Sequence, residues 1–151
     1  MTGPLPLWAQ SLQLRPHPEG GWYAETWRHG TLLAPGHLVD PVMGGYPGPR
    51  SLGTAIYFLL MPGEESAWHR VRSDELWFAH RGALELGLGG VGDAPVPESA
   101  LRLGVDVSGG DHPQALVPAA TWQRALPLGE QPCLVSCVVT PGFDFDDFRL
   151  A

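Results

Sequence analysis

His69 and Glu75 are the residues of this 151-residue chain whose types and spacing best suit chemistry. His69 lies in the run SAWHRVR, and a Ser73-Asp74 turn separates this run from Glu75 at the start of the next one. Because side chains of equal parity share one face of a strand, His69, Val71 and Glu75 can all face the interior of a barrel. A histidine with a carboxylate partner in a partly buried pocket keeps one tautomer, which suits general acid–base catalysis near pH 7.

A divalent metal ion is the second chemistry that these positions allow. Inward-facing imidazole and carboxylate ligands with one open coordination position are what catalytic zinc, iron or manganese requires. His69 and Glu75 are ligands of these two types. Proton transfer and metal binding therefore both stay open at this point.

Several neighbouring side chains are candidates for contact with a ligand. Arginine forks recognise phosphate or carboxylate groups through two hydrogen bonds, and Arg50, Arg70, Arg72 and Arg81 crowd this part of the chain. We assign Arg50 to substrate binding, with surface charge as the alternative role. The side chains that we expect to form the rest of a ligand pocket are Trp68, Trp77, His80, Trp122 and Gln123. Gln123 either orients a substrate hydroxyl or carbonyl group or satisfies backbone groups within the barrel. His17 and Glu19 flank a Pro-Glu-Gly-Gly turn, where we expect a structural role because the glycines explain the turn.

Short strands separated by turns must position these side chains. Twenty glycines and sixteen prolines interrupt the hydrophobic residues, which make up 44% of the chain, and this excludes a helical bundle or coiled coil. Turn residues separate about eight or nine apolar runs at spacings of roughly ten residues, which is typical of a β-sandwich or barrel. The clearest strands are WYAETWR, TAIYFLL, SAWHRVR, ELWFAH and LVSCVVT. Residues 6–13 predict one or two helical turns, and residues 29–53 predict a long loop.

Charge and composition exclude several functions. The formal net charge is −7 and all nine basic residues are arginine, so duplex nucleic acid is not an expected partner. No apolar run approaches the roughly 20 residues that cross a bilayer, and we expect a cytoplasmic protein without membrane contact. Cys133 and Cys137 would share one strand face too far apart for a disulfide, which suits a reducing compartment. The absence of lysine and asparagine suggests a GC-rich bacterial genome.

The glycine and ligand spacing around His69 resembles the first sequence motif of the cupins. That motif places a glycine turn before two histidines, a glutamate and a second glycine, and Gly63, His69, Val71, Glu75 and Gly82 stand at these positions. Val71 replaces the second histidine. The segment from Pro118 resembles the second cupin motif, with Gln123 where its histidine would stand. The resemblance implies a tentative metal set of His69, Glu75 and Gln123 around iron, zinc or manganese.

The chain as a whole resembles the DUF985, or Cupin_5, family of RmlC-like cupins. The resemblance depends on HPEGG from residue 17, RS before TAIYFLL, WHR, SDELW, HRG, the PQ and VP pairs, WQ, and TPGFDFDDF at the end. It implies an all-β cupin double-stranded β-helix, that is, a jelly-roll barrel, with a short N-terminal helix. It also implies one cupin domain over residues 1–151 and a homodimer. Phe78 departs from the family pattern, which usually has a histidine there.

The resemblance leaves three functions open. The first is binding of a small, anionic metabolite with epimerase-like or isomerase-like proton transfer, as RmlC-type enzymes perform. In that case His69 and Glu75 guide the proton, and Tyr57 or Tyr23 is the opposing acid, with Tyr57 the assigned one. The second is a metal-dependent dioxygenase or hydrolase. The third is a cupin that binds a small ligand without catalysis.

Overall fold

The computed structural model of the protein describes residues 3–40 and 42–151. Residues 1, 2 and 41 belong to the predicted domain, and residue 41 to the predicted loop, but they lie outside the described residues. Within the described ranges the chain forms a helix, α1 (Leu7–Gln10), and 3-10 helices over Pro35–His37 and Phe145–Asp147. The strands are β1 (Arg15–Pro16), β2 (Trp22–Arg28), β3 (Leu32–Leu33), β4 (Arg50–Ser51), β5 (Thr54–Leu60), β6 (Ser66–Arg70), β7 (Asp74–Arg81), β8 (Ala83–Leu88), β9 (Ser99–Leu103), β10 (Gln114–Val117), β11 (Gln123–Leu128), β12 (Cys133–Thr140) and β13 (Arg149–Leu150).

Two antiparallel sheets form the body of the protein. One has the strand order β1-β2-β5-β12-β7-β10, and the other has the order β13-β6-β11-β8-β9. Strands β3 and β4 pair separately. This architecture confirms the predicted all-β class with a short N-terminal helix. No helix in the described part of the chain is both long and apolar enough to cross a membrane, and the cytoplasmic location stays a prediction.

The core lies between the two sheets because their strands alternate inward and outward side chains. In β12, Cys133, Val135, Cys137 and Val139 are buried while the residues between them are partly exposed. Both cysteines therefore face the core from one strand face, as their spacing predicts. The inward residues of β5, β7 and β8 complete the apolar cluster, including Phe58, Trp77 and Leu86.

Some element boundaries differ from the sequence prediction. The N-terminal helix is shorter than predicted and ends at Gln10. The predicted strand that begins at Ser99 ends at Leu103, because the following residues form a turn closed by hydrogen bonds from Asp106 N to Asp111 and from Gly109 N to Asp106. The long loop over residues 29–53 contains β3, β4 and a 3-10 helix.

Arg50 has a different role from the predicted one, because it forms a buried ion pair with the C-terminal segment. Its Nε and Nη2 donate to the two carboxylate oxygens of Asp147 at 2.7 and 2.8 Å. The two side chains are only 4% and 3% exposed. Asp147 therefore occupies the Nε and Nη2 donors that an anionic substrate would need for two parallel hydrogen bonds. Arg50 thus holds the 3-10 helix over Phe145–Asp147 against the barrel.

We expect Asp147→Asn to lower the free energy of unfolding by about 3–5 kcal/mol, because it leaves Arg50 buried without its counter-charge. Urea unfolding followed by tryptophan fluorescence measures this change. The matched control is Asp146→Asn, because Asp146 is the exposed neighbour and should change stability by less than about 0.5 kcal/mol. Equal effects of the two substitutions would contradict the structural role of the pair.

Candidate active site

A tight turn between β1 and β2 brings Glu19 next to β6. His17 N donates to Gly21 O at 2.9 Å, and Ala67 N donates to Glu19 O at 2.8 Å. Gly20 has φ +106°, and a Cβ there would lie 2.1 Å from Glu65 O, so the turn requires glycine at this position. The backbone contact with β6 places the Glu19 carboxyl group between Ser66 and His69.

Hydrogen bonds hold His69 in one orientation. Its Nδ1 lies 2.7 Å from Ala67 O, and because a carbonyl only accepts, Nδ1 carries a proton. Its Nε2 lies 3.0 Å from Glu19 Oε2, and the other Glu19 oxygen accepts from Ser66 Oγ at 2.9 Å. Glu19 and His69 Nε2 therefore share one proton.

Burial keeps this pair neutral near pH 7. Desolvation raises the pKa of Glu19 to about 8 despite the hydrogen bond from Ser66. Desolvation also lowers the pKa of His69, against the opposing effect of Glu75. The proton therefore lies on Glu19 and is donated to Nε2 of a neutral imidazole. His17, beside this pair, has a pKa lowered to about 4 by burial and by the nearby His69.

Glu75 is a second buried carboxyl group of the same site. Its Oε2 accepts from Gln123 Nε2 at 2.6 Å, and Gln123 Oε1 accepts from Trp77 Nε1 at 2.9 Å. Because the indole nitrogen can only donate, it fixes the amide with its NH2 group toward Glu75. Desolvation raises the pKa of Glu75 to about 7, although His69 and Gln123 oppose the shift. This carboxyl group can both accept and donate a proton at neutral pH.

The cavity that contains these groups has a volume of about 310 Å³. Its polar walls include His17, Glu19, His69 and Glu75, and it is rimmed by exposed Arg15, Glu25 and Arg28. Its apolar and aromatic lining is formed by Tyr23, Ile56, Phe58, Val71, Val139, Phe143 and Phe145. Aromatic rings from the C-terminal segment close one side, with the His17 ring 6.0 Å from Phe145 and 5.7 Å from Phe148. The site is therefore a small, largely apolar chamber with a few titratable groups.

The structure brings together only part of the predicted site. Of the predicted residues, His69 and Glu75 line the cavity. Gln123 and Trp77 are fully buried behind Glu75 and act on it through hydrogen bonds. The tyrosine that lines the cavity is Tyr23 rather than Tyr57.

Four predicted residues lie away from the cavity, and for Tyr57, Trp68 and His80 the reason is that strand parity points them outward. On the outer face of the larger sheet, the Tyr57 ring lies 6.5 Å from the ring of His80, and His80 Nε2 lies 2.6 Å from Ser136 Oγ. On the other sheet, Trp68 lies over Gly89, and Trp122 lies under the guanidinium of Arg70. The described lining of the cavity includes none of these four side chains, and the roles predicted for Tyr57 in catalysis and for the other three in substrate binding stay predictions.

The arrangement does not fit the tentative metal set of His69, Glu75 and Gln123. Gln123 donates a hydrogen bond from its amide nitrogen to Glu75, and its amide oxygen accepts one from Trp77. His69 Nε2 is engaged by Glu19, and Val71 adds an apolar wall. Among the described residues, no three or more His, Cys, Asp or Glu side chains are arranged to hold a metal ion. The metal content of the purified protein is the direct test.

Sequence reasoning assigned structural roles to His17 and Glu19, which line the cavity beside His69. Their signal was present as a histidine and a glutamate one residue apart before two glycines. The local pattern does not show that this turn packs against β6. Ser66, which donates a hydrogen bond to Glu19, lies 47 residues further along the chain.

Glu75→Gln tests the buried carboxyl group through the pH dependence of stability. The folded pKa of about 7 exceeds the ordinary glutamate pKa of 4.5 expected for the unfolded chain, so this group's contribution to stability is full below about pH 4.5 and falls as the pH rises to about 7. Glutamine cannot ionise, so the variant should gain stability relative to the parent from about pH 4.5 to about pH 8. The gain should be about 3 kcal/mol at most.

Urea unfolding of the parent and of Glu75→Gln, at about pH 4.5 and at about pH 8, measures this gain in the free energy of unfolding. Glu85→Gln is the matched control, because Glu85 is exposed on β8 and its replacement should not alter the pH dependence. A constant difference between Glu75→Gln and the parent would contradict a raised pKa at Glu75.

Comparisons with known proteins agree with this fold. The sequence matches the family described as Cupin superfamily (DUF985) over residues 7–151. It is 30% identical to the uncharacterised protein YML079W of Saccharomyces cerevisiae over 144 residues, which is 89% of this chain and 69% of that protein. Protein SO0799 from Shewanella oneidensis is similar in structure, with a TM-score of 0.76 and 34% identity over 95% of this chain and 82% of that one. A hypothetical protein from Leishmania major gives a TM-score of 0.77 and 34% identity, with coverage of 95% and 85%.

These relatives come from a bacterium, a yeast and a Leishmania species, so membership of the family leaves the predicted bacterial source untested. The jelly-roll prediction is confirmed by the two antiparallel sheets and by the similar structures. The family match covers almost the whole chain. The protein belongs to the DUF985 family of the cupin superfamily.

Proposed function

We propose that the protein binds a small anionic metabolite in the cavity and transfers a proton on it, in the manner of an epimerase or isomerase. The observation that carries this proposal is Glu75, a buried carboxyl group with a pKa of about 7 that lines a chamber beside the Glu19–His69 pair. A catalytic base works best when its pKa lies near the working pH. Gln123, oriented by Trp77, holds one oxygen of Glu75 in place, and Cys137 also lies within hydrogen-bond reach of this carboxyl group.

The rim of the cavity supports an anionic substrate. Arg15 lies over the Tyr23 ring, 5.0 Å from its centroid, and forms no ion pair among the described residues. Arg28 donates to Glu25 at 2.6 Å and to Phe143 O at 3.1 Å. Arg15 is therefore the rim arginine without an ion-pair partner among the described residues, and we assign to it the substrate-binding role that we first assigned to Arg50.

His17 supplies the donor that such a reaction needs. Glu19 N donates to His17 Nδ1 at 3.2 Å, so the neutral imidazole carries its proton on Nε2. Removal of a proton next to a carbonyl group places negative charge on the carbonyl oxygen, and a neutral histidine can stabilise that oxygen by donating a hydrogen bond. In this scheme Glu75 removes the proton and His17 Nε2–H faces the developing oxyanion. The neutral Glu19–His69 pair and Tyr23 are the groups that can return a proton from another side.

A test starts from a thermal-shift screen of small carboxylated and phosphorylated keto compounds against the parent protein. Each compound that stabilises the protein is then incubated with it in D2O, and proton NMR measures exchange of the C–H next to the carbonyl. We expect exchange with the parent and a loss of at least about 100-fold with Glu75→Gln. Glu85→Gln is the control and should keep full activity.

Arg15→Gln should weaken binding of the same compound without abolishing exchange at saturation. A compound that binds in the cavity but shows no exchange with the parent would contradict catalysis and favour the role of a ligand-binding cupin. Exchange that is unchanged in Glu75→Gln would contradict the assignment of the base.

We also propose the homodimer that the family resemblance implies, with its interface on the outer face of the six-stranded sheet. The outward side chains there are largely apolar, and Leu116 is 50% exposed. The apolar or aromatic residues of this face are Tyr57, Leu76, Phe78, Leu116 and Val138. Burial of such a face against a second copy would remove this apolar surface from water.

Sedimentation velocity should give about twice the chain mass of 16.3 kDa for the parent and the chain mass for Phe78→Asp. A matched control is Val107→Asp, because Val107 is also apolar and exposed but lies in a loop outside this face. A parent that sediments as a monomer would contradict the proposed dimer.

A further inference from the structure

A second cavity, of about 430 Å³, lies outside the barrel against the outer face of β6. Three arginines line it, namely Arg70, Arg72 and Arg149, together with Asp93, Asp146 and Asp147. Among the described residues, none lines both this cavity and the candidate active site. The C-terminal segment contributes to both cavities, with Phe143 and Phe145 at the first and residues 146–149 at the second.

Arg70 carries an unused pair of donors in this cavity. Its side chain is only 6% exposed, and its Nη1 donates to the carbonyl oxygens of Val91 at 3.3 Å and Gly92 at 3.0 Å. Its Nε is buried without a hydrogen-bond partner, and Nη2 has none among the described residues. Nε and Nη2 form the edge of a guanidinium that binds two oxygens at once, and Arg50 uses the same edge for Asp147.

Among the described residues, the positive charge of Arg70 has no carboxylate in ion-pair contact, although Asp93 and Asp40 oppose the lowering of its pKa. Neither Arg70 nor Arg149 forms an ion pair among the described residues, and the pKa of Arg70 is lowered by burial and by the proximity of Arg149 and Arg72. The guanidinium groups of Arg70 and Arg149 lie 4.8 and 5.9 Å from the ring centroid of Trp122, so the same indole orients both.

The acidic residues of the cavity do not neutralise these two arginines. Asp147 is held by Arg50, and its Oδ1 lies 3.1 Å from Arg72 Nε, although that contact is not aligned for a hydrogen bond. Arg72 is further bound to Asp40 at 2.7 Å. Asp93 and Asp146 are exposed, so water screens them. A buried donor pair without an acceptor is unfavourable, and an anion would relieve it.

We propose that this cavity is a binding site for a small oxyanion, a phosphate or carboxylate group, held by the Nε and Nη2 edge of Arg70 and by Arg149. Trp122 supports both guanidinium groups, and the exposed position of Arg149 leaves the entrance open to solvent. The site is separate from the proton-transfer site and does not depend on the proposed reaction.

Isothermal titration with inorganic phosphate, and in a second series with acetate, tests the site at constant ionic strength and pH. We expect saturable binding of at least one of the two anions to the parent, and the tighter one identifies the group that the site prefers. Arg149→Gln should weaken that binding at least about tenfold. Arg70→Met keeps the apolar stem and removes the donors, so it should abolish the binding.

Arg124→Gln is the matched control, because it removes the same charge from an arginine that pairs with Glu65 away from this cavity. It should bind the anion as the parent does, and so should Glu75→Gln, which separates this site from the proposed active site. If Arg70→Met does not fold, Arg149→Gln still decides the question because Arg149 is exposed. Absence of saturable binding to the parent, or equal binding by the parent and Arg149→Gln, would overturn the proposal.

Discussion

The burial of two carboxyl groups, Glu19 and Glu75, around one histidine is the constraint on which the rest of the site depends. Ionised carboxylates are costly in an apolar interior unless a cation or several donors compensate them. His69 does not serve as a full cation here because burial lowers its pKa, although Glu75 and the hydrogen bond from its Nδ1 to Ala67 O oppose that shift. Near pH 7 Glu19 therefore keeps its proton, whereas Glu75 exchanges between its protonated and ionised forms.

This constraint explains why polar residues without contact with the cavity matter to it. Gln123 and Trp77 lie behind Glu75, and their hydrogen bonds limit the rise of its pKa while they fix the orientation of its carboxyl group. Ser66 does the same for Glu19. The cupin barrel thus retains the positions of its usual ligand motif but occupies them with a proton-sharing network. A metal at these positions would need Gln123 to turn its oxygen away from Trp77.

The C-terminal segment connects the two cavities through ordinary packing. Its aromatic side chains close the barrel over His17 and His69, and the Arg50–Asp147 pair holds it in place. The same segment supplies Arg149 to the outer cavity through its pairing with β6, where Arg149 lies opposite Arg70. Two buried arginines therefore have opposite roles: Arg50 is satisfied within the fold, whereas Arg70 has a buried Nε without a hydrogen-bond partner.

The sequence by itself determined the fold class, the positions of most strands and the fact that the two cysteines share one strand face. These features depend on local patterns, because turn residues end strands and side chains alternate between the faces of a sheet. Parity within a strand also places Tyr57 and His80 outward, but sequence alone does not say which parity faces the core at each strand. Only the tertiary structure decided that the turn at Glu19 packs against β6, that Arg50 is satisfied by Asp147, and that Gln123 presents its amide nitrogen to Glu75. Each of these contacts joins segments distant in the chain, and their partners are chosen by the packing of the two sheets rather than by any neighbouring residue.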